Sequence, residues 1–155
     1  MKRIYVEGDN DFSFLLALGF SAKEIKNSGG KSRVCADLKG QEGKKGMVDQ
    51  DPNGNTPGYM KQFDPVKEDQ FRILLHHKTD NNRLLVLKPE FEDWFLDFCK
   101  RNQIALKEYN LSDRPSEFKK QLGGKKSVYK RDQFKALISE HFENKVLVEI
   151  KEFLS

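Results

Sequence analysis

The spacing of apolar residues changes repeatedly along the chain, and each change indicates a new strand or helix. Short apolar runs rich in β-branched residues predict strands at residues 2–7, 24–26, 45–49, 71–76 and 83–87. Apolar residues at helical spacing predict helices at residues 9–18, 31–39, 90–101, 115–122, 130–142 and 146–154. Strands that alternate with helices are typical of α/β proteins, so we expect a largely parallel central sheet and a helical C-terminal part.

Turn-forming residues separate these elements. Gly19 ends the first predicted helix, Asp9 or Asn10 can cap its start, and Pro89 suits the first turn of a later helix. Residues 51–58 are dense in turn formers and are predicted to be a loop. The chain shows no internal repeat and no interdomain linker, so its 155 residues predict a single domain spanning 1–155.

Composition narrows the class of protein. Charged residues make up 34% of the chain and its mean hydropathy is -0.74, and no apolar run approaches the length of a membrane span. Glu7 interrupts any signal-peptide core at the start, so we expect a cytoplasmic protein without a membrane partner. Cys35 and Cys99 have no metal-binding or redox spacing and are expected to be reduced, buried thiols.

Three carboxylates stand directly at the ends of predicted strands. Glu7 closes the first strand, and Asp49 and Asp51 close the third. If these are neighbouring parallel strands, the three carboxylates meet at the carboxyl edge of the sheet, where α/β proteins place their sites. Oxygen-only acidic clusters suit Mg²⁺ or Mn²⁺, so the pattern predicts a site for a divalent metal ion.

Each half of this pattern also has a purely structural interpretation. Glu7 alone can simply end a strand, and the run Asp51-Pro52-Asn53-Gly54 is a good reverse turn. Glu90, Glu92 and Asp93 can serve only to complement a helix dipole in a first turn. The joint occurrence of Glu7 and the Asp-x-Asp motif, in order and at strand ends, favours the metal site.

Two motifs occur in a fixed order, Val6-Glu7-Gly8-Asp9-Asn10-Asp11 and later Asp49-Gln50-Asp51-Pro52-Asn53-Gly54. Together they resemble the TOPRIM domain of topoisomerases, bacterial primases, small ribosomal-RNA maturation nucleases and OLD-family nucleases. In that family a glutamate ends the first strand, and an Asp-x-Asp motif with a glycine shortly after it ends the third. The acidic helix start at Pro89 and the loop Gly29-Gly30-Lys31 are similar to features of small stand-alone TOPRIM proteins. The resemblance implies a Rossmann-like, three-layer fold.

The resemblance also implies roles for individual side chains. Asp49 and Asp51 would hold the divalent ion, with Mg²⁺ as first choice and Mn²⁺ as second, and Glu7 would be a ligand or the general acid/base. Asp11 follows Glu7 by four residues and is expected to face the same pocket. Glu92 is the candidate that supports a second metal ion, as additional acids do in OLD-like nucleases.

Positive charge is concentrated away from these acids, and the net charge of the chain is +4. In OLD-like nucleases a lysine from the C-terminal part assists, and here Lys125, Lys126 and Lys130 are the candidates; the same lysines can also form a solvated face. Lys31 follows a glycine pair and is a candidate contact to a nucleic-acid phosphate. A nucleotide-hydrolysing P-loop is excluded, because the glycine that its pattern requires is replaced by Ile25.

These features lead to two functional hypotheses from different classes. The first is an Mg²⁺-dependent nuclease or phosphotransferase that acts on DNA or RNA. The second is a non-catalytic TOPRIM-like module that binds nucleic acid or regulates a separate ATPase partner, a role that the resemblance links to phage defence. The position of Glu92 discriminates between them. A side chain in the pocket of Glu7 and Asp49 favours catalysis, and a side chain in solvent favours the module.

Overall fold

The computed structural model describes residues 3–122 and 128–155, with the side chains of 128–131 outside the description. In this part of the chain one six-stranded sheet has the order β2-β1-β3-β6-β5-β4. The strands are β1 (Ile4–Val6), β2 (Ile25–Asn27), β3 (Lys45–Asp49), β4 (Asp64–Glu68), β5 (Arg72–His76) and β6 (Arg83–Leu87). The pairings among β2, β1, β3 and β6 are parallel, whereas β5 pairs antiparallel with both β6 and β4. The prediction of an α/β fold with a largely parallel sheet is confirmed.

Helices cover both faces of this sheet. The described segments contain α1 (Asp9–Ala17), α2 (Lys31–Leu38), α3 (Phe91–Arg101), α4 (Pro115–Leu122), α5 (Val128–Glu140) and α6 (Lys145–Leu154), with short 3-10 helices at Met60–Gln62 and Leu106–Tyr109. Buried residues of α1 and of α3 to α6 share one apolar core, whereas α2 packs on the opposite face with Tyr59 and Phe63. The result is a three-layer arrangement in which most of the helices lie on one side. No helix within the described ranges is both long and apolar enough to cross a membrane.

Alternation along the strands divides the apolar side chains between the two cores. Ile4 and Val6 of β1 belong to the core under α1 and α3, whereas Tyr5 between them belongs to the core under α2. On the first face the ring of Phe14 lies 5.3 Å from that of Phe91 and 5.7 Å from that of Trp94. These contacts fix α1 against α3, and both helices carry acidic residues at their first turns.

Gly19 ends helix α1 as predicted, but the N-cap of α1 differs from the prediction. α1 ends in a Schellman arrangement, because Gly19 has a positive φ of 105° and the amide of Phe20 donates to the Leu15 carbonyl at 3.1 Å. The predicted capping by Asp9 or Asn10 is wrong: Gly8 is the N-cap, and Asp11 supplies the side chain that accepts from the Gly8 amide at 3.1 Å.

Two further predictions are corrected by the structure. Pro89 does not stand in the first turn of α3, because the helix begins at Phe91 with Glu90 as its N-cap. The sequence pattern also missed β4, which pairs with β5 at the edge of the sheet and is exposed along its length. The remaining predicted strands and helices are present, with boundaries that agree or differ by at most two residues. Cys35 and Cys99 are buried and free, as expected.

The order of the strands creates a crevice at one point. The chain runs from β1 to β2 on one side of β1, and then returns through α2 to β3, which pairs with the other side of β1. α1 and α2 lie on opposite faces of the sheet. In open α/β sheets such a reversal leaves a crevice outside the carboxyl ends of the two central strands, which here are β1 and β3.

Candidate acidic site at the carboxyl edge of the sheet

Glu7 and Asp49 meet at this crevice. Val6 of β1 is in register with Met47 of β3, so Glu7, one residue further, lies beside the end of β3. Glu7 Oε2 accepts a hydrogen bond of 2.5 Å from the backbone amide of Asp49. Two of the three carboxylates that are predicted to meet at this edge of the sheet, Glu7 and Asp49, therefore lie together.

Asp49 is held in turn by the start of α3. Its Oδ1 accepts a hydrogen bond of 2.9 Å from the backbone amide of Phe91, the first residue of that helix. A helix N-terminus leaves amides without partners inside the helix and carries partial positive charge, which favours a negative charge on Asp49. Asp49 thus connects β3 to α3 through its side chain.

Glu92 and Asn10 join the two acidic helix starts. Asn10 in the first turn of α1 donates from Nδ2 to Glu92 Oε1 at 2.7 Å. Glu92 is buried, with 7% of its surface exposed, and Asp11 is buried with 5% exposed. Two acidic side chains are therefore buried at the junction of α1 and α3. Burial of such a charge is unfavourable unless a hydrogen-bond partner or an ion compensates it.

These side chains line one cavity of about 370 Å³. Its wall consists of the loop after β1, the first turn of α1, the end of β3, the start of α3 and one lysine from α4. The lining residues are Glu7, Gly8, Asp9, Asn10, Asp11, Asp49, Glu90, Glu92 and Lys119. Glu92 therefore lies in the pocket of Glu7 and Asp49, which is the position that the sequence analysis associates with catalysis.

The carboxylates of the cavity disfavour one another's ionisation. Burial, and then the charges of Asp49, Glu7 and Glu92, raise the pKa of Asp11 well above its ordinary value. Burial and the charges of Glu7 and Glu92 raise the pKa of Asp49 to about 7, against the opposing hydrogen bond from Phe91. Burial also raises the pKa of Glu7, although the Asp49 amide and the Lys31 charge act in the other direction. The cluster thus holds more negative charge than its surroundings balance.

Lys31 and Asp51 lie at the margin of this cluster. Lys31 Nζ donates to the carbonyl of Gln50 at 2.7 Å, so the lysine reaches across the end of β3. Asp51 is exposed in a turn at a positive φ of 46° and is not part of the cavity wall, although its charge still raises the pKa of Glu7. Asp49 and Asp51 therefore do not lie in one site as predicted, because Asp49 lines the cavity and Asp51 lies outside it.

The donor atoms of the cavity allow a test of the predicted metal ion. Glu7, Asp11, Asp49 and Glu92 supply only carboxylate oxygens, and Asn10 Oδ1 is buried with no hydrogen-bond partner in the described part of the chain. Oxygen donors are the ligands that Mg²⁺ prefers. Within residues 3–122 and 128–155, no three His, Cys, Asp or Glu side chains are grouped closely enough to hold an ion directly. The donors are therefore of the chemical kind that a hard cation takes, but in the described part of the chain they do not converge on one position.

The structure includes residues that the sequence analysis did not select. Lys119 reaches the cavity from α4, whereas the predicted Lys125 and Lys126 lie outside the described residues, as does the side chain of Lys130. Asn10 was considered only as a cap. Lys119 lies six residues before Lys125 in the chain, but only the position of α4 against α1 and α3 shows that Lys119 faces the acids.

Comparisons of the chain with protein-family models, with curated proteins and with solved structures gave no match.

Proposed function

We propose that the chain is a TOPRIM-like, divalent-metal-dependent nuclease that hydrolyses phosphodiester bonds of DNA or RNA. The proposal rests on one observation: Glu7, Asp11, Asp49 and Glu92 line a single cavity at the strand reversal. Three of these four belong to the motifs that resemble the TOPRIM domain, and the fourth comes from the acidic helix start. A plain structural role gives no reason to gather four acids, two of them buried, in one crevice.

The acidic and basic side chains of the cavity have different proposed roles. Asp49 and Glu7, with Asp11 and Glu92 behind them, would hold hydrated Mg²⁺ or Mn²⁺ and orient it towards the open side of the cavity. A bound ion would neutralise charge on a phosphodiester and lower the pKa of a bound water molecule. Among the described residues of the cavity wall, Lys119 carries the positive charge and would bind a non-bridging phosphate oxygen.

Glu7 is the residue best placed to exchange a proton. It is only partly buried, unlike Asp11 and Glu92, and its pKa is raised. A carboxylate with a raised pKa is a stronger base than a free one and can accept a proton from an attacking water molecule. The hydrogen bond from the Asp49 amide keeps the Glu7 carboxylate in place while the proton moves.

The test is incubation of the purified protein with supercoiled plasmid and with structured RNA, in Mg²⁺, Mn²⁺ or EDTA. We expect cleavage of one substrate in the presence of a divalent ion and a loss of about 100-fold or more in Asp49→Asn, because that change removes a metal-binding charge. Asp113→Asn is the matched control, since Asp113 is exposed and lies outside the acidic cavity.

The same experiment decides against the nuclease if cleavage in Asp49→Asn equals that of the wild-type protein. If the folded wild-type protein cleaves neither substrate, the second hypothesis gains, in which the chain is a binding or regulatory module that works with a separate ATPase partner. Circular dichroism of each variant shows whether a loss of cleavage reflects chemistry or unfolding.

A further inference from the structure

A second charged cluster lies at the opposite edge of the sheet. We call it the basic edge, and it consists of Arg3, Lys44, Lys45 and Arg83. These residues stand at or just before the amino ends of β1, β3 and β6. Backbone hydrogen bonds connect them, because the Lys45 amide donates to the Arg3 carbonyl at 3.0 Å and the Arg83 amide donates to the Lys44 carbonyl at 2.9 Å.

Lys45 and Arg83 are direct cross-strand neighbours. They are paired in the register of β3 with β6, so their side chains leave the sheet on the same face. Arg83 is held in position by α6, since its Nη1 donates to the Phe153 carbonyl at 3.3 Å and its guanidinium lies 5.6 Å from the centre of the Phe153 ring. The guanidinium is thus oriented in advance of any ligand.

Within the described part of the chain, Arg3, Lys45 and Arg83 form no ion pair with an acid. The nearby acids have other partners: Glu24 accepts from Ser21, and Asp80 pairs with His77. Burial, and then the charges of Arg83, Arg3 and Lys44, lower the pKa of Lys45. Like charges in direct cross-strand register destabilise a sheet, so the folded state carries an electrostatic cost here.

We propose that the basic edge is a binding site for phosphate groups, carried either by a free anion such as pyrophosphate or by the backbone of a nucleic acid. A guanidinium and an ammonium that stand side by side can donate to different oxygens of one phosphate or of two adjacent phosphates. A bound anion would reduce the repulsion between Lys45 and the neighbouring positive charges. The site is separate from the acidic cavity, because a five-residue strand places the two edges roughly 15 Å apart.

Lys45→Gln is the informative variant, with Lys107→Gln as its control. Lys107 is an exposed lysine of the helical layer that takes part in no ion pair among the described residues. Thermal unfolding is followed in EDTA with and without pyrophosphate, and anisotropy is measured with a labelled single-stranded oligonucleotide. We expect Lys45→Gln to be at least as stable as the wild-type protein without ligand, because repulsion is removed, and to bind the phosphate ligand about tenfold more weakly.

The outcomes separate the sources of the phosphate and the two edges of the sheet. Stabilisation by pyrophosphate that is lost in Lys45→Gln and kept in Lys107→Gln supports a general phosphate site. Oligonucleotide binding with the same pattern but no effect of pyrophosphate supports a site for the nucleic-acid backbone. Equal responses of wild-type protein and Lys45→Gln to both ligands overturn the proposal. Binding that persists in Asp49→Asn shows that the basic edge acts independently of the proposed nuclease site.

Discussion

The backbone amide of Asp49 donates a hydrogen bond to the carboxylate of Glu7, a residue 42 positions earlier in the chain. The bond joins the carboxyl ends of β1 and β3 across the strand reversal. It also means that the Glu7 side chain has a structural partner as well as a proposed chemical role. A variant that separates the two must keep the acceptor oxygen and remove only the charge.

Glu7→Gln meets that condition, because the amide oxygen of glutamine can still accept from Asp49. We expect Mg²⁺ to raise the melting temperature of the wild-type protein and to raise that of Glu7→Gln by much less, since one charged oxygen donor is gone. The measurement is thermal unfolding over a series of Mg²⁺ concentrations. Glu108→Gln, on an exposed glutamate outside the cavity, should respond as the wild-type protein does. An unchanged Mg²⁺ response in Glu7→Gln would remove Glu7 from the ion site.

The metal-free protein should lose stability as the pH rises from about 4 to about 7. The ordinary pKa of an aspartate is 3.8, burial and neighbouring acids raise that of Asp49 to about 7, and that of Asp11 is raised as well. The folded state therefore binds more protons than the unfolded state in this range, and its free energy of unfolding falls as these protons are released.

Asp11→Asn should reduce this loss and stabilise the protein in EDTA at neutral pH. Asparagine keeps an oxygen that can accept from the Gly8 amide, but it removes one of the clustered charges. Denaturant unfolding at acidic and at neutral pH checks the expectation. The idea fails if wild-type protein and Asp11→Asn show the same pH dependence.

The stability contributed by the ion pairs of Glu149 should change with pH in the opposite direction. Glu149 on α6 accepts from Arg72 Nε at 2.7 Å and from Lys67 at 2.6 Å, and Arg72 is buried with 5% exposed. Burial alone would raise the pKa of Glu149, but the hydrogen bonds from Lys67 and Arg72 outweigh it and lower the pKa below 4.5. This contribution to stability is present above that pH and is lost as the pH falls.

Glu149→Gln should therefore lower the free energy of unfolding by about 1–3 kcal/mol at neutral pH, because buried Arg72 loses a charged partner. Denaturant titration measures the change, and Glu152→Gln on the same helix is the control, since Glu152 is exposed. A loss of stability that is equally large at acidic pH would show that the charge of Glu149 is not its cause.

Gly46 lets α2 approach β3. A Cβ atom built at this position would lie 2.9 Å from Leu84 Cδ1, 3.0 Å from Val34 Cγ1 and 3.1 Å from Leu38 Cδ1. Gly46→Ala should thus destabilise the protein by about 1–3 kcal/mol through overpacking. Gly58→Ala is the matched control, because no atom lies within 4 Å of the corresponding Cβ. Equal stability of the two variants would mean that the core around Gly46 adapts at little cost.

The strands that carry the site could be predicted because burial determines their composition. The central strand β6, with the sequence Arg-Leu-Leu-Val-Leu, is a continuous apolar run of the kind that forms the middle of a parallel sheet. β4 could not be predicted, since its sequence Asp-Pro-Val-Lys-Glu shows no apolar alternation and its residues are all exposed. It becomes a strand only through pairing with β5, and no local pattern records that contact.

Part of the acidic site could also be predicted from the sequence. Glu7 and Asp49 stand at strand ends, and they meet because β1 and β3 are neighbouring parallel strands. Lys119 and Asn10 lie on helices whose orientation depends on aromatic contacts between α1, α3 and α4, such as the stacked rings of Phe95 and Phe118 at 5.5 Å. The outward position of Asp51 depends on a left-handed turn that many residue types can form at some cost.

The acidic cavity and the basic edge lie at opposite ends of the same strands, so these two clusters separate charge along the sheet. The negative pole is the carboxyl edge with Glu7 and Asp49, and the positive pole is the amino edge with Lys45 and Arg83. In the field of a polyanion such a molecule rotates before contact, so that its amino edge leads. A divalent cation, if bound at the carboxyl edge as proposed, would weaken the negative pole and with it the preferred orientation of approach.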